Sequence, residues 1–211
     1  MVQKRGNLII ISAPSGAGKT TLVRNLVETV PGLLVSVSHT TRARRSGEKD
    51  GTDYHFIGNA AFETLIKQKE FLEYAQVFGH YYGTSRRWVE QQLTEGLNVI
   101  LEIDWQGAQQ VRRQLKESVS IFVLPPSYEA LAARLRGRGD DDTLVRERMQ
   151  GAASELSHYN EYDFLVINDD VKTALGELTS VIRAAGNGYP QQKPYFDDFV
   201  AELLKNPAGI L

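Results

Sequence analysis

Leu8-Ile9-Ile10-Ile11-Ser12-Ala13-Pro14-Ser15-Gly16-Ala17-Gly18-Lys19-Thr20 runs from an apolar stretch through a turn of small residues into the opening of a helix near Thr20. The four aliphatic residues predict a buried strand. A turn built of Gly and other small residues lets successive backbone N–H groups point into one concavity, where a chain of phosphates can sit. Lys19 adds a mobile point charge for the terminal phosphates, and the Thr20 hydroxyl is placed to hold a magnesium ion. Motifs of this kind open with Gly; Ala13 fits that position only with a negative φ.

Working outward, the 211 residues suggest one compact unit with insertions. A net charge of −2 argues against a general polyanion binder, so any anion site must come from local clustering. The absence of cysteine removes disulfides, thiolate metal sites and cysteine nucleophiles together. The apolar run behind Lys4 and Arg5 is too short for a signal peptide core or a membrane span, and a cytoplasmic location is the expectation. The histidines His39, His55, His80 and His158 show no ligand spacing and are read as structural or surface residues.

Apolar strands alternate with helical patterns along the chain, which predicts an α/β fold with a parallel sheet flanked by helices. Strands are expected at Leu8 to Ile11, Leu33 to Val37, Phe71 to Phe78, Val99 to Asp104, Ile121 to Leu124 and Phe164 to Ile167. Asn59, Ser85 and Ser127 are N-cap candidates for helices that follow them. Gly186 to Pro194 reads as a linker-like break before a terminal amphipathic helix. Phe196, Phe199, Leu203 and Leu204 on that helix leave two readings open, folding onto the core or contact with a second subunit.

Two further clusters bear on chemistry. Glu102 and Asp104 lie two apart at the end of an apolar strand, so both can face a phosphate loop and its metal. Arg134, Arg136 and Arg138, with Arg146 and Arg148 beyond, flank a Gly-containing hinge. Arginine on a closing flap can bring positive charge to a transferring phosphoryl group and bind its oxygens in pairs. Arg134 and Arg138 are the candidates; helical spacing turns Arg136 off the Arg134 face.

Residues 38–54 then read Ser38-His39-Thr40-Thr41-Arg42-Ala43-Arg44-Arg45-Ser46-Gly47-Glu48-Lys49-Asp50-Gly51-Thr52-Asp53-Tyr54. Behind them come Phe71-Leu72-Glu73-Tyr74-Ala75, Tyr81-Tyr82-Gly83-Thr84, Ile103-Asp104-Trp105-Gln106-Gly107, Arg134-Leu135-Arg136-Gly137-Arg138-Gly139 and Val166-Ile167-Asn168-Asp169-Asp170. In this order, over residues 7–185, the chain resembles the guanylate kinases, the bacterial members in particular.

The resemblance implies a P-loop core (residues 1–37, 91–125 and 161–211), an inserted GMP-binding segment (38–90) and a helical lid (126–160). It implies transfer of the terminal phosphate of ATP to GMP with Mg²⁺, and neither nucleic acid nor membrane as partner. Ala13, Pro14, Ser15, Gly16, Ala17, Gly18, Lys19, Thr20 and Thr21 would hold ATP, with Asn168 near its adenine. Arg42, Arg45, Tyr54 and Tyr82 would grip the GMP phosphate; Ser38, Glu73, Thr84 and Asp104 would surround the guanine. Lys19, Arg42, Arg134, Arg138 and Arg148 would serve the transfer, and Thr20 with Asp104 the metal.

Each assignment has a chemical reason. Two arginines three apart with tyrosine hydroxyls suit a dianionic phosphate. A carboxylate such as Glu73 can accept from both N1–H and the exocyclic amine of guanine. Scaffold domains of the same type bind phosphorylated peptides instead of nucleotides, but they lack the intact Gly18-Lys19-Thr20 found here. An acceptor other than GMP is the remaining alternative for an enzyme.

Overall fold

The computed structural model describes residues 4–137 and 142–205. Strand β1 (Leu8–Ser12) leads through the loop into helix α1 (Lys19–Thr29), and β2 (Leu33–Val35) follows. Further along come β7 (Asn98–Glu102), α4 (Trp105–Gln114), β8 (Val119–Leu124), β9 (Phe164–Ile167) and α7 (Val171–Ala185). The strands pair all in parallel in the order β2-β7-β1-β8-β9. The phosphate-loop strand is therefore central, and Ile9, Ile10 and Ile11 have no solvent exposure.

Period-two alternation divides this strand between two cores. Ile9 and Ile11 pack with Leu22 and Leu26 of α1 and Leu178 and Ile182 of α7. Leu8 and Ile10 pack on the other face with Val111 of α4 and with Val89 and Leu93 of helix α3 (Arg86–Thr94). Helices on both faces explain why the strand reads as an unbroken aliphatic run.

Residues between β2 and β7 form a second sheet. Its strands are β3 (His39–Thr40), β4 (His55–Phe56), β5 (Phe71–Val77) and β6 (His80–Ser85), in the order β4-β3-β6-β5. Helix α2 (Asn59–Lys67) buries Phe62 against Phe71, ring centroids 4.5 Å apart. The β5–β6 pair is antiparallel, and its register shifts between Phe71 and Glu73. Such a bulge inserts an extra residue and re-aims the side chains beyond it. Phe71, Leu72 and Glu73 are consequently all buried.

Two helices stand over the C-terminal end of β1. Helix α5 (Tyr128–Arg136) and helix α6 (Asp142–Leu156) bury Leu131 and Ala152 against Ala17 of the loop. The Ser127 hydroxyl caps α5 by accepting from the Ala130 N–H at 3.1 Å, and Ser85 caps α3 by accepting from Trp88.

Three sequence expectations are revised. Helix α1 begins at Lys19, with Gly18 as its N-cap in the left-handed region. Gly58, not Asn59, caps α2 and contributes no side-chain bond. The break after α7 is confined to residues 186–188, because helix α8 (Tyr189–Lys205) has already begun and carries Pro194 inside it. Tertiary anchoring outweighs the hydrogen bond that a helical proline forfeits. The buried Gln192 amide donates to the carbonyl of Arg5 and to Asn7 Oδ1, tying the first turns of α8 to the strand entrance. Phe199, Val200, Leu203 and Leu204 are exposed, so the reading in which the end of the helix folds onto the core does not hold for them.

Candidate functional site: a phosphate loop and a buried carboxylate in one cavity

The loop keeps its concavity because Gly16 and Gly18 take φ of 93° and 94°, conformations that other residues adopt only with strain. Space adds a second requirement at Gly18, where a Cβ would come within 2.4 Å of Asn168 Nδ2. Ala13 is not among the residues with positive φ, as its substitution for glycine demands.

A cavity of about 320 Å³ opens from this loop toward the second sheet. Pro14, Ser15, Gly16, Gly18, Lys19 and Thr20 line one end, with Ala13 beside them. Ser38, Arg45, Tyr54, Glu73 and Tyr82 line the other, with Asp104 and Arg148 on the walls. One space thus joins residues that are distant in sequence but were predicted to share two adjacent substrates. Ala17 is fully buried and Thr21 exposed, and neither lines the cavity.

Glu73 is the unusual member of this set. Its side chain is buried, and Thr84 Oγ1 donates to its Oε1 at 2.5 Å. Burial pushes its pKa up to about 7, against the pull of the Thr84 hydrogen bonds. The second oxygen lies over Gly107 of α4, where an added Cβ would come within 2.4 Å of it. Glycine at 107 is therefore required for the carboxylate to sit where it does. Thr84 itself is fully buried and acts on the cavity through Glu73.

The acids at the end of β7 take different roles than their spacing suggests. Glu102 ends the strand; Thr20 Oγ1 donates to its Oε1 at 2.5 Å, and Lys19 Nζ lies 3.6 Å from the same oxygen. Asp104 lies beyond the strand as the N-cap of α4. Its Oδ1 accepts from the Gly107 N–H at 3.0 Å and its Oδ2 from Gln106 Nε2 at 3.0 Å. The strand ends at Glu102, yet the backbone is still extended at Asp104, and both acids line the cavity.

Several cations are also held differently. Arg42 is clamped by Glu48, whose oxygens accept from its two terminal nitrogens at 2.7 and 3.1 Å. That hydrogen bond raises the Arg42 pKa. The guanidinium lies 5.4 Å from the Tyr54 ring centre, so Arg42 stands behind Tyr54 while Arg45 lines the cavity. Desolvation pushes the Tyr54 hydroxyl up to about 12 and keeps it a neutral donor.

Arg134 donates to the carbonyls of Ala17 and Asn168 at 3.3 and 2.9 Å, and Asn168 Nδ2 donates to the Ala17 carbonyl at 2.7 Å. Both side chains brace the back of the loop and do not line the cavity. Arg138 lies outside the described residues.

Sequence reasoning missed Glu155, a cavity residue on α6 whose Oε2 accepts from the Ser15 N–H at 3.0 Å. Nothing in the spacing signals a bond across that length of chain. His39 packs tilted against His55 with ring centroids 4.6 Å apart, and His158 stacks on Trp105 at 3.7 Å. Among the described residues no cluster of three or more His, Cys, Asp or Glu is suited to hold a metal, and no helix is long and apolar enough to cross a membrane.

A family model described as guanylate kinase matches residues 5–185. Guanylate kinase of Alcanivorax borkumensis is 59% identical over 181 residues, covering 85% of this chain and 87% of that protein. Guanylate kinase of Chromohalobacter salexigens is 54% identical over 201 residues, covering 95% and 94%. The crystal structure of guanylate kinase from Anaplasma phagocytophilum superimposes with a TM-score of 0.76 at 36% identity, covering 89% of this chain and 90% of that one.

Proposed function

The chain belongs to the guanylate kinase family, an enzyme that transfers the terminal phosphate of ATP to GMP, and from that premise we propose how its residues divide the work. Residues 38–90 grip GMP, residues 126–160 form the lid, and the remainder is the core that holds ATP. The observation that carries this reading is the single cavity with a phosphate loop at one end and a buried carboxylate at the other.

Guanine enters with its N1–H and exocyclic amine toward Glu73, which accepts from both. Ser38 lies beside the base. Arg45, Tyr54 and Tyr82 meet the GMP phosphate, with Arg42 behind them fixing Tyr54. Loop amides other than that of Ser15, whose N–H is bonded to Glu155, take the phosphates of ATP together with Lys19. A GMP phosphate oxygen attacks the γ-phosphorus in line, the bond to the β-phosphate oxygen breaks, and ADP leaves with the electron pair. A phosphate dianion is already a competent nucleophile, so no general base is needed. The chain's contribution is positioning and charge neutralisation by Lys19 and Arg148.

Magnesium fits the oxygen donors near the loop, the Thr20 hydroxyl and the Glu102 carboxylate that it contacts. Hard cations with few protein ligands bind in this way, phosphates and water filling the rest of the shell. We assign the acid of that pair to Glu102, since Asp104 Oδ1 caps α4 and its Oδ2 accepts from the Gln106 side chain. An ion held there would supply positive charge against the charge developing on the transferring phosphoryl group.

The pH dependence of GMP binding has a definite sign. Glu73 keeps its proton up to about pH 7 when folded but only to about 4.5 when unfolded. Its contribution to stability is thus fully present below about 4.5 and declines as pH rises through 7. Guanine donors favour the ionised form, so GMP affinity moves the opposite way. The GMP phosphate titrates near 6 as well, and comparison with Glu73→Gln removes that contribution. Calorimetry should find wild-type affinity weaker by roughly tenfold at pH 6 than at pH 8, beyond the change in the variant. Equal pH profiles would remove Glu73 from the base site.

Acceptor choice is tested by rates with ATP and each of GMP, AMP, CMP, UMP and dTMP. GMP should be preferred by roughly 10⁴-fold, as expected when a buried polar site matches one base edge and opposes another. Comparable rates with AMP would overturn the assignment of the base site.

A further inference from the structure

Helix α6 touches both ends of the cavity. The Phe78 ring, at the tip of the β5–β6 hairpin, lies over Gly151, where a Cβ would sit 3.5 Å from its Cζ. Ala152 and Met149 pack against the phosphate loop and α5. One turn beyond Gly151, Glu155 Oε2 accepts from the Ser15 N–H of the loop at 3.0 Å. Arg148 lies seven residues earlier, two helical turns away and so on the same face, and both side chains line the cavity.

A carboxylate is an odd occupant of an anion-binding cavity. Its charge opposes incoming phosphate, so phosphate binding does not explain it. Its hydrogen bond explains it better. The apolar contacts of Ala152 and Met149 hold α6 against the loop but leave it free to slide or roll, because such packing is not directional. A side-chain acceptor on one specific loop amide fixes both the height and the rotation of the helix.

We infer that Glu155 is a positioning residue for phosphoryl transfer, fastening helix α6 to the Ser15 N–H so that Arg148 is delivered to the γ-phosphate position. The inference rests on the assignment of Arg148 to the transfer. Hydrogen bonding, not charge, does the fastening, so a neutral acceptor of the same length serves as well. Burial already pushes the Glu155 carboxyl up toward its neutral form, whose carbonyl oxygen accepts the same N–H.

The test compares five variants of the full chain by kcat, KM for each nucleotide and thermal midpoint. Glu155→Ala should lower kcat by about 30-fold, since misplacing a catalytic group by an ångström costs up to about a hundredfold. KM for GMP should stay within about twofold, because the base and phosphate grip lies on other elements. Glu155→Gln should remain within about threefold of wild type, since its amide oxygen accepts from Ser15 at the same reach. Glu155→Asp keeps the charge but is one methylene short, and should resemble Glu155→Ala; it tests the same contact if the alanine variant does not fold. Adding Glu155→Ala to Arg148→Ala should cost little more than Arg148→Ala alone, as residues acting through one another are non-additive.

A wild-type rate in Glu155→Ala beside a slowed Arg148→Ala would overturn the inference alone. So would a Glu155→Gln enzyme as slow as Glu155→Ala, or a double variant losing the product of the two single effects. A wild-type rate in Arg148→Ala would remove Arg148 from the proposed transfer and this inference with it.

Discussion

Lys19→Met is expected to lose turnover by about three orders of magnitude while still binding GMP. Lys19 is the first residue of α1, lines the cavity, and has its ammonium 3.6 Å from Glu102. Methionine matches the length of the lysine stem and keeps its apolar packing, so the substitution removes one charge with little else. The charge acts where the transferring group spreads its own over three oxygens. Electrostatic groups in such places contribute about 10²–10³ in rate each. A thousandfold loss is about 4 kcal/mol of transition-state stabilisation. The Arg45, Tyr54 and Glu73 end of the cavity is untouched, so calorimetric GMP affinity should change by less than about threefold. Normal steady-state kinetics in the variant would show that the loop does not carry the transfer.

The second large effect is on selectivity. In Glu73→Gln the ratio of kcat/KM for GMP over AMP should fall by about 10³, while KM for ATP stays within about twofold. Glutamine matches glutamate in size and can still accept from the Thr84 hydroxyl. It presents an N–H₂ group where the carboxylate had an acceptor, leaving one guanine donor facing a donor in a buried site. The loss is large because burial removes water as an alternative partner. Rates with both monophosphates, measured on the same preparation, decide it. An unchanged preference for GMP would mean that another group reads the base.

The phosphate loop was legible because it is local: one strand, one turn and one helix start carry all its chemistry within a few residues. The parallel core was legible for a similar reason. The run Leu8 to Ile11 can be satisfied only by burial on both faces, and the structure places helices on both. Glu73 was within reach only through resemblance, since the bulge at Phe71 and Glu73 breaks the alternation that would have shown which side it faces.

Other parts of the site depend on distance in space. Glu48 clamps Arg42 from a loop with no periodicity, and Asn168 and Arg134 meet at the Ala17 carbonyl from separate elements. The exchange of Glu102 for Asp104 beside Thr20 turns on where a strand stops, the least readable feature of a strand from its residues. Pro194 misled for a different reason. A local rule against proline in helices was overridden by the anchoring of Gln192.

The central claim is that one cavity holds both nucleotides end to end. A crystal structure with GMP, magnesium and a non-hydrolysable ATP analogue tests it most directly. The account predicts the guanine N1–H and exocyclic amine at about 3 Å from the Glu73 carboxylate, with the γ-phosphate at hydrogen-bond distance from Lys19 and facing the GMP phosphate. A guanine bound away from Glu73, or two nucleotides in sites that do not meet, would contradict it.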